Sequence, residues 1–223
     1  MNKETFDNIV PTPGQIGQSR GPLFWLLNKL EFIKPLHTIL EIGAGMGGSS
    51  KVWEQIVDKG DTIISVDIRG DLERINWDHK NSDRKIKFIV GDSMDNKTVD
   101  TVHTELGDRK VDFLFIDGDH SYEGVSKDFE KYSPLVRNGG IVGFHDLCDF
   151  GVNKFFFNEL YGRKETTRSW MRPKSNIVNK SDGQGEFDDN FMTDIINIIK
   201  EDNPRDDIIC TGIWWKEEEG RFV

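Results

Sequence analysis

Five short apolar runs, separated by polar turns and helical patterns, constrain the fold of this chain most strongly. The runs are HTILEIG (37–43), TIISVD (62–67), IKFIVGD (86–92), VDFLFIDGD (111–119) and GIVGFHD (140–146). Strands that are apolar on both faces and alternate with helices are typical of parallel sheets with helices on both sides. The sequence therefore predicts an α/β, doubly wound, mostly parallel sheet.

Helical spacing fills the segments around these runs. Helices are predicted, in chain order, near 23–32, 48–59, 71–79, 95–106, 123–135, 151–162 and 191–204. A further apolar run, DIICTGIWWK (207–216), predicts a last strand. No internal repeat interrupts this order, and a chain of 223 residues has room for one good-sized core.

Each of the five apolar runs ends on an acid or an acid and imidazole pair. In chain order these ends are Glu41 with Gly43, Asp67, Asp92, Asp117, and His145 with Asp146. The carboxyl ends of parallel strands meet at one edge of a sheet, where ligands of such folds bind. A single acid after a strand is an ordinary turn residue, but five along one edge predict a functional site.

The first run is followed by a glycine-rich turn that opens a helix. Gly43, Gly45 and Gly48 satisfy the spacing G-x-G-x-x-G, and Asp67 follows nineteen residues after Gly48. Glycines let the backbone turn tightly and approach a ligand, and the acid accepts hydrogen bonds from ribose hydroxyls. Both dinucleotides and S-adenosylmethionine use this arrangement, so the glycines alone leave the two cofactors open.

ILEIGAGMGG (39–48) resembles motif I of the class I S-adenosylmethionine-dependent methyltransferases, in which an acid stands two residues before the first glycine, as Glu41 does here. VGDSMD (90–95) is similar to the end of the third strand in that family. The resemblance implies a Rossmann-like methyltransferase fold of seven strands with an antiparallel C-terminal strand. The cofactor-binding residues that it implies are Glu41, Gly43, Ala44, Gly45, Gly48, Ser49, Asp67, Asp92, Ser93 and Asp117.

A narrower resemblance lies in FIDGDHSYEGVSKDFEKYSPLVRNGGIVGFHD (115–146). It is similar to a subfamily that includes cephalosporin-hydroxylase-like proteins and the sugar O-methyltransferases of macrolide and aminocoumarin pathways. That resemblance implies metal-assisted O-methylation, with Asp117 and Asp146 as cation ligands and His120 as the general base beside the catalytic Asp117. The cation implied is Mg²⁺, with Mn²⁺, Fe²⁺ or Zn²⁺ as alternatives.

Position 145 departs from the metal-ligand pattern of this subfamily, and the pattern does not fix the role of position 119. The metal-dependent relatives commonly end the fifth strand on two acids, whereas this chain has His145 and Asp146. Either His145 points away, or it binds a metal that accepts imidazole, or no metal is bound. Asp119 is a metal ligand, a turn residue or the N-cap of the helix that starts near Tyr122, and the cap is the favoured interpretation.

The net charge and the distribution of apolar residues restrict the binding partners and the location that we expect for this chain. A net charge of −10 disfavours nucleic acid, no apolar run approaches the length of a membrane span, and the N-terminus lacks the pattern of a secretion signal. Cys148 and Cys210 are far apart and outside any metal-ligand spacing. We therefore expect a soluble, cytoplasmic protein that acts on a small hydroxylated substrate or glycan. The sequence leaves the oligomeric state open, with a homo-oligomer as one option.

One methyltransferase domain, residues 1–223, is predicted. Residues 1–35 form an N-terminal cap segment in which Gln15 and Gln18 are candidate contacts to cofactor or acceptor. Residues 36–160 form the cofactor-binding core, and 161–223 supply the C-terminal strands with an insertion or lid at 172–205. Two alternatives remain, an NAD-dependent oxidoreductase and a methyltransferase-fold protein that binds a ligand without turnover.

Overall fold

The computed structural model describes residues 1–10, 18, 20–70, 83–147, 149–160, 168–172, 177–178 and 211–216. The predicted helices at 71–79 and 191–204 lie outside these residues, as do most of the predicted insertion at 172–205 and both cysteines. None of the helices in the described ranges is long and apolar enough to cross a membrane.

The described fold contains six α-helices, eight strands and two short 3₁₀-helices, Glu31–Ile33 and Ser133–Leu135. The helices are α1 (Lys3–Ile9), α2 (Arg20–Leu30), α3 (Gly48–Ile56), α4 (Asn96–Leu106), α5 (Tyr122–Tyr132) and α6 (Phe150–Phe155). The strands are β1 (Thr38–Ile42), β2 (Thr62–Asp67), β3 (Lys85–Val90), β4 (Val111–Ile116), β5 (Val136–Phe144), β6 (Arg168–Arg172), β7 (Ile177–Val178) and β8 (Thr211–Trp215). Helix α6 continues into a π-helical segment, Phe156–Leu160.

All eight strands belong to one sheet in the order β3-β2-β1-β4-β5-β8-β6-β7. The first five strands are parallel, and β8 runs antiparallel to β5. This confirms the predicted doubly wound, mostly parallel sheet with an antiparallel C-terminal strand. The described sheet has eight strands rather than seven because the two-residue β7 pairs with β6 at the edge.

Successive side chains of the central strands point to opposite faces of the sheet, and those on each face pack into a separate hydrophobic core. On β1, Ile39 packs with the α1, α2 and α3 side, whereas Leu40 packs with the α4, α5 and α6 side. Strands β1, β2 and β4 are buried along their whole length, which is why their sequences read as unbroken apolar runs. The edge strand β3 alternates and is mostly exposed.

The N-terminal helices differ from the prediction. Helix α2 begins at Arg20 rather than near residue 23, because Pro22 sits in its first turn, where a missing N–H costs nothing. Helix α1 was not predicted, since only Phe6 of its seven residues is buried and the apolar period is too short to detect. Asn2 caps α1 by accepting a hydrogen bond from the Thr5 N–H at 2.9 Å.

The strand order reverses at β1, whose neighbours are β2 and β4. Beyond the carboxyl ends of β1 and β4 the connections diverge to opposite sides of the sheet, which opens a crevice there. All five predicted strand ends lie at this edge because β1 to β5 are parallel, and the site described next occupies it.

Candidate active site

Gly43 lets the ends of β1 and β4 come together. Its φ is +91°, and a Cβ there would lie 2.0 Å from the carbonyl oxygen of Asp117. No residue with a side chain fits both the backbone conformation and that contact. The glycine is therefore required to bring Asp117 beside the turn.

The turn also binds the end of β2. Gly45, at φ +53°, donates its N–H to Asp67 Oδ2 at 2.7 Å. The other Asp67 oxygen accepts the Arg69 N–H at 2.8 Å. Two backbone donors thus fix the Asp67 carboxylate at the rim of the turn, while lone pairs remain for a ligand.

A cavity of about 740 Å³ opens over this turn, within the usual range for small-molecule sites. Its lining includes every cofactor residue predicted from the sequence except Glu41, together with His120. The predicted residues in the lining are Gly43, Ala44, Gly45, Gly48, Ser49, Asp67, Asp92, Ser93, Asp117 and His120. The structure therefore brings residues from four strand ends and the start of α3 around one space.

Glu41 lies beneath the cavity instead of in its lining. It is fully buried, and its carboxylate accepts hydrogen bonds from Ser49, Ser50, Trp53 at 2.9 Å and Ser65 at 2.8 Å. Burial raises the pKa of Glu41 although these four donors oppose the rise. Since three of the donors belong to α3, the observed role of Glu41 is to hold that helix against β1.

Behind Gly118 of the lining lies a buried acid, Asp128, that the sequence did not single out. Asp128 of α5 is 0% exposed, and Gly118 stands so close that a Cβ there would lie 3.2 Å from Asp128 Oδ2. Burial, followed by the charges of Asp119 and Asp92, raises the Asp128 pKa to about 6, with the Ser93 hydroxyl opposing the rise. Even so, neither oxygen has a hydrogen bond of normal geometry among the described residues.

A cluster of carboxylates and imidazoles lies beside the cavity and shares Asp117 and His120 with its lining. His145 Nδ1 lies 3.0 Å from Asp117 Oδ1 and 3.2 Å from Asp146 Oδ1. The His145 ring is 5% exposed and turns its Nδ1 toward both acids, so it does not point away from the predicted ligands. Asp146 adopts a φ of +50°, which is uncommon outside glycine and typical of functional sites.

His120 joins the same cluster from the turn after β4. Its Nδ1 is 2.6 Å from Asp149 Oδ2 and 3.5 Å from Asp146 Oδ2, and its Nε2 is 3.5 Å from Asp117 Oδ1. Asp149, just before α6, was not predicted as a site residue, because no acid-rich strand end marks it.

Mutual charge stabilisation dominates this cluster. The Asp117 carboxylate, then Asp149 and Asp146, raise the pKa of His120 to about 9 against the effect of partial burial. Burial opposes the charge of His145, but Asp117 and Asp146 raise its pKa to about 10. In turn, the two histidines hold the pKa of Asp117 below its ordinary value although burial opposes this.

The prediction that Asp119 caps α5 is wrong. Ser121 is the N-cap, and its hydroxyl accepts the Gly124 N–H at 3.0 Å. Asp119 instead accepts the Ser121 N–H and hydroxyl, both at 2.9 Å. Serine is as good a cap as aspartate, so the pattern D-H-S did not decide between them.

Of the two glutamines predicted as contacts, Gln18 donates to Asp117 Oδ2 at 2.8 Å, and Gln15 lies outside the described residues.

The donor set fits a divalent cation with mixed ligands. Asp117, His145 and Asp146 each offer one ligand atom, and these atoms lie within 4.8 Å of one another. Two carboxylates and one imidazole suit Mn²⁺, Fe²⁺ or Zn²⁺ as well as Mg²⁺. His145 Nδ1 would have to lose its proton to become a ligand.

Residues 40–147 match a family model described as a methyltransferase domain. The chain is 29% identical over 119 residues to a probable caffeoyl-CoA O-methyltransferase 3 of Dictyostelium discoideum. It is 32% identical over 122 residues to an uncharacterised protein of Acanthamoeba polyphaga mimivirus. Each match covers 51% of this chain, and the chain spans about half the length of these relatives, 45% and 52% respectively.

Solved structures share the fold. An O-methyltransferase from Bacillus cereus in complex with S-adenosylhomocysteine aligns with a TM-score of 0.59 and 15% identity, over 96% of this chain and 91% of that one. MycE, from the mycinamycin biosynthetic pathway, in complex with Mg, S-adenosylhomocysteine and mycinamycin VI, aligns with a TM-score of 0.50 and 21% identity. That match covers 73% of this chain and 40% of MycE.

Proposed function

The chain has the fold of the class I S-adenosylmethionine-dependent methyltransferases, and on that premise we propose that it is an O-methyltransferase. The acceptor is a hydroxyl of a small metabolite or sugar, and a divalent cation assists the transfer. We choose the cofactor on the basis of the charge of the cavity. Four carboxylates line it, those of Asp67, Asp92, Asp117 and Asp119, against the guanidinium of Arg69 and the imidazole of His120.

An acidic cavity favours a cationic sulfonium over a dinucleotide whose pyrophosphate carries two negative charges. When bound, S-adenosylmethionine supplies a methyl group on an excellent leaving group. Asp67 would accept the ribose hydroxyls with the lone pairs that its two backbone donors leave free. Asp92 and Ser93, after β3, would hold the adenine. The glycine turn and the start of α3 would bind the methionine end of the cofactor.

An alcohol is a poor nucleophile at neutral pH, so the acceptor hydroxyl has to lose its proton as the new bond forms. His120 is the base. It lines the cavity, and it accepts the proton in its neutral form, which is the minor form at neutral pH because the three carboxylates around the ring raise its pKa to about 9. Proton removal of this kind accounts for about 10²- to 10⁴-fold in rate.

Asp117, His145 and Asp146 would hold the divalent cation. Their oxygen and nitrogen atoms lie within 4.8 Å of one another, and Asp117 lines the cavity together with His120. A cation there would polarise the acceptor oxygen and lower the pKa of its proton. The proposal is supported by this donor set, and MycE, which has the same fold, was solved with Mg.

Methyl transfer from radiolabelled S-adenosylmethionine to a panel of sugar and phenolic hydroxyls tests the function. We expect incorporation by the wild type and a loss of about 10²-fold or more in His120→Gln. Asp100→Asn, which removes an exposed carboxylate from α4, is the matched control and should keep wild-type activity. Incorporation that is equal in His120→Gln would exclude His120 as the base.

Titration with Mn²⁺ tests the metal separately from turnover. Calorimetry should give one site in the wild type and affinity lowered by about 10-fold or more in Asp146→Asn, because one charged ligand is lost. Equal Mn²⁺ binding by both proteins, together with methylation that survives a chelator, would remove the cation from the proposal.

A further inference from the structure

We propose that Asp149 is a positioning residue that orients the His120 ring for proton transfer. This inference rests on the proposed function, in which His120 faces the acceptor. Asp149 is not one of the strand-end residues. It is the residue immediately before α6, and its side chain extends from there to His120.

The shortest contact of His120 is the one to Asp149. Nδ1 lies 2.6 Å from Asp149 Oδ2, the length of a strong charge-assisted hydrogen bond. The contacts of His120 to Asp117 and Asp146 are both 3.5 Å, which is too long for a good hydrogen bond. An ionised carboxylate only accepts, so Nδ1 is the donor and Nε2 is the nitrogen that remains available on the side of Asp117.

A glycine places Asp149 there. A Cβ on Gly151 would lie 2.2 Å from the His120 carbonyl oxygen and 2.5 Å from the Tyr122 nitrogen. The start of α6 therefore packs directly on the backbone of the turn that carries His120. Any larger residue at position 151 would push Asp149 away from the imidazole.

Further contacts keep α6 in that position. Tyr122 donates its hydroxyl to Glu159 at 2.7 Å, and its ring packs edge-on against Phe155 with centroids 6.2 Å apart. Asn153 donates its side-chain amide to the Leu147 carbonyl at 3.0 Å, which ties α6 to the end of β5. The carboxylate of Asp149 is thus presented by a packed helix rather than by a free loop.

Capping does not account for this aspartate. Asp149 occupies the N-cap position of α6, yet its side chain makes no capping hydrogen bond. A capping hydrogen bond would stabilise the helix, yet the carboxylate contacts His120 instead. In serine hydrolases an aspartate likewise orients the catalytic histidine by accepting a hydrogen bond from its Nδ1–H.

A double-mutant cycle with His120 tests the proposal. We expect Asp149→Ala to lower kcat by about 10- to 100-fold with little change in the Kd of S-adenosylmethionine. In a His120→Gln background the same substitution should have no further effect, because Asp149 acts only through the ring. Asp95→Ala is the matched control, since Asp95 is likewise an exposed N-cap aspartate without a capping hydrogen bond.

A second readout needs no turnover. The ring ¹H–¹³C signal of His120, assigned by its loss in His120→Gln, should shift or broaden in Asp149→Ala and stay in place in Asp95→Ala. An unshifted signal with wild-type kcat would overturn the proposal. Additive effects in the cycle together with lost Mn²⁺ binding would also overturn it, and would make Asp149 a metal ligand. If the signal shifts but no wild-type methylation occurs, the proposed function fails while the orientation of His120 by Asp149 stands.

Discussion

Asp128→Asn should stabilise the protein in a way that depends on pH. The carboxylate is fully buried in α5 without a hydrogen bond of normal geometry among the described residues, and its pKa is raised from 3.8 to about 6. Each pKa unit corresponds to about 1.36 kcal/mol, so the buried charge costs the folded state about 3 kcal/mol at neutral pH. Asparagine keeps the size of the side chain and removes the charge.

The direction of this pH dependence follows from the different pKa values of Asp128 in the folded and unfolded states. The folded state binds the Asp128 proton more tightly than the unfolded state does, so below pH 3.8 both states are protonated and the charge has no cost. As the pH rises from about 4 to 6 the folded wild type loses stability, and above pH 6 the full cost remains. The difference in unfolding free energy between Asp128→Asn and wild type should therefore grow by about 2.4 kcal/mol between pH 4 and pH 7.5.

Urea unfolding of both proteins at a series of pH values measures this difference directly. Groups common to both proteins cancel in the comparison. Glu130→Gln removes an exposed carboxylate from the same helix and corrects for the change in net charge. A difference that stays constant from pH 4 to pH 7.5 would refute the reasoning that burial destabilises an ionised Asp128.

Three further predictions concern the framework of the site. Gly43→Ala should abolish binding of S-adenosylhomocysteine and lower the Tm, because its Cβ would clash with Asp117; Gly60→Ala, at φ +85° with nothing within 4 Å, is the control for backbone strain alone. Asp112→Ala should cost about 3–5 kcal/mol in urea unfolding, since it leaves the backbone N–H groups of residues 37 and 38 and the Nε–H of Arg137 without their carboxylate acceptor. Ser121→Ala should cost about 1 kcal/mol by loss of the α5 cap, and Ser121→Gly much less.

The strand-end residues could be predicted from the sequence because a parallel sheet converts a repeated local pattern into one edge. Asp67, Asp92 and Asp117 each follow an apolar run, and the register of the sheet alone brings them to the same cavity. The glycine turn was equally local, since its spacing and the positive φ of Gly43 belong to one loop.

The residues that escaped prediction reach the site through the packing of helices. Asp149 meets His120 only because Gly151 lets α6 lie on a turn 29 residues earlier, and no periodic pattern records that contact. Asp128 occupies one turn of an amphipathic helix whose other charged residues are not buried, so the sequence gives no sign that this one is. Glu41 was predicted from a family motif, which identifies the residue but not the side of the glycine turn on which its carboxylate lies.

The most direct test of the proposed function is a calorimetric titration of the protein with S-adenosylhomocysteine and, separately, with NAD, each with and without Mg²⁺. The acidic cavity over the glycine turn predicts binding of S-adenosylhomocysteine at one site per chain and no heat from NAD. Binding of NAD without binding of S-adenosylhomocysteine would contradict the methyltransferase proposal and favour an oxidoreductase.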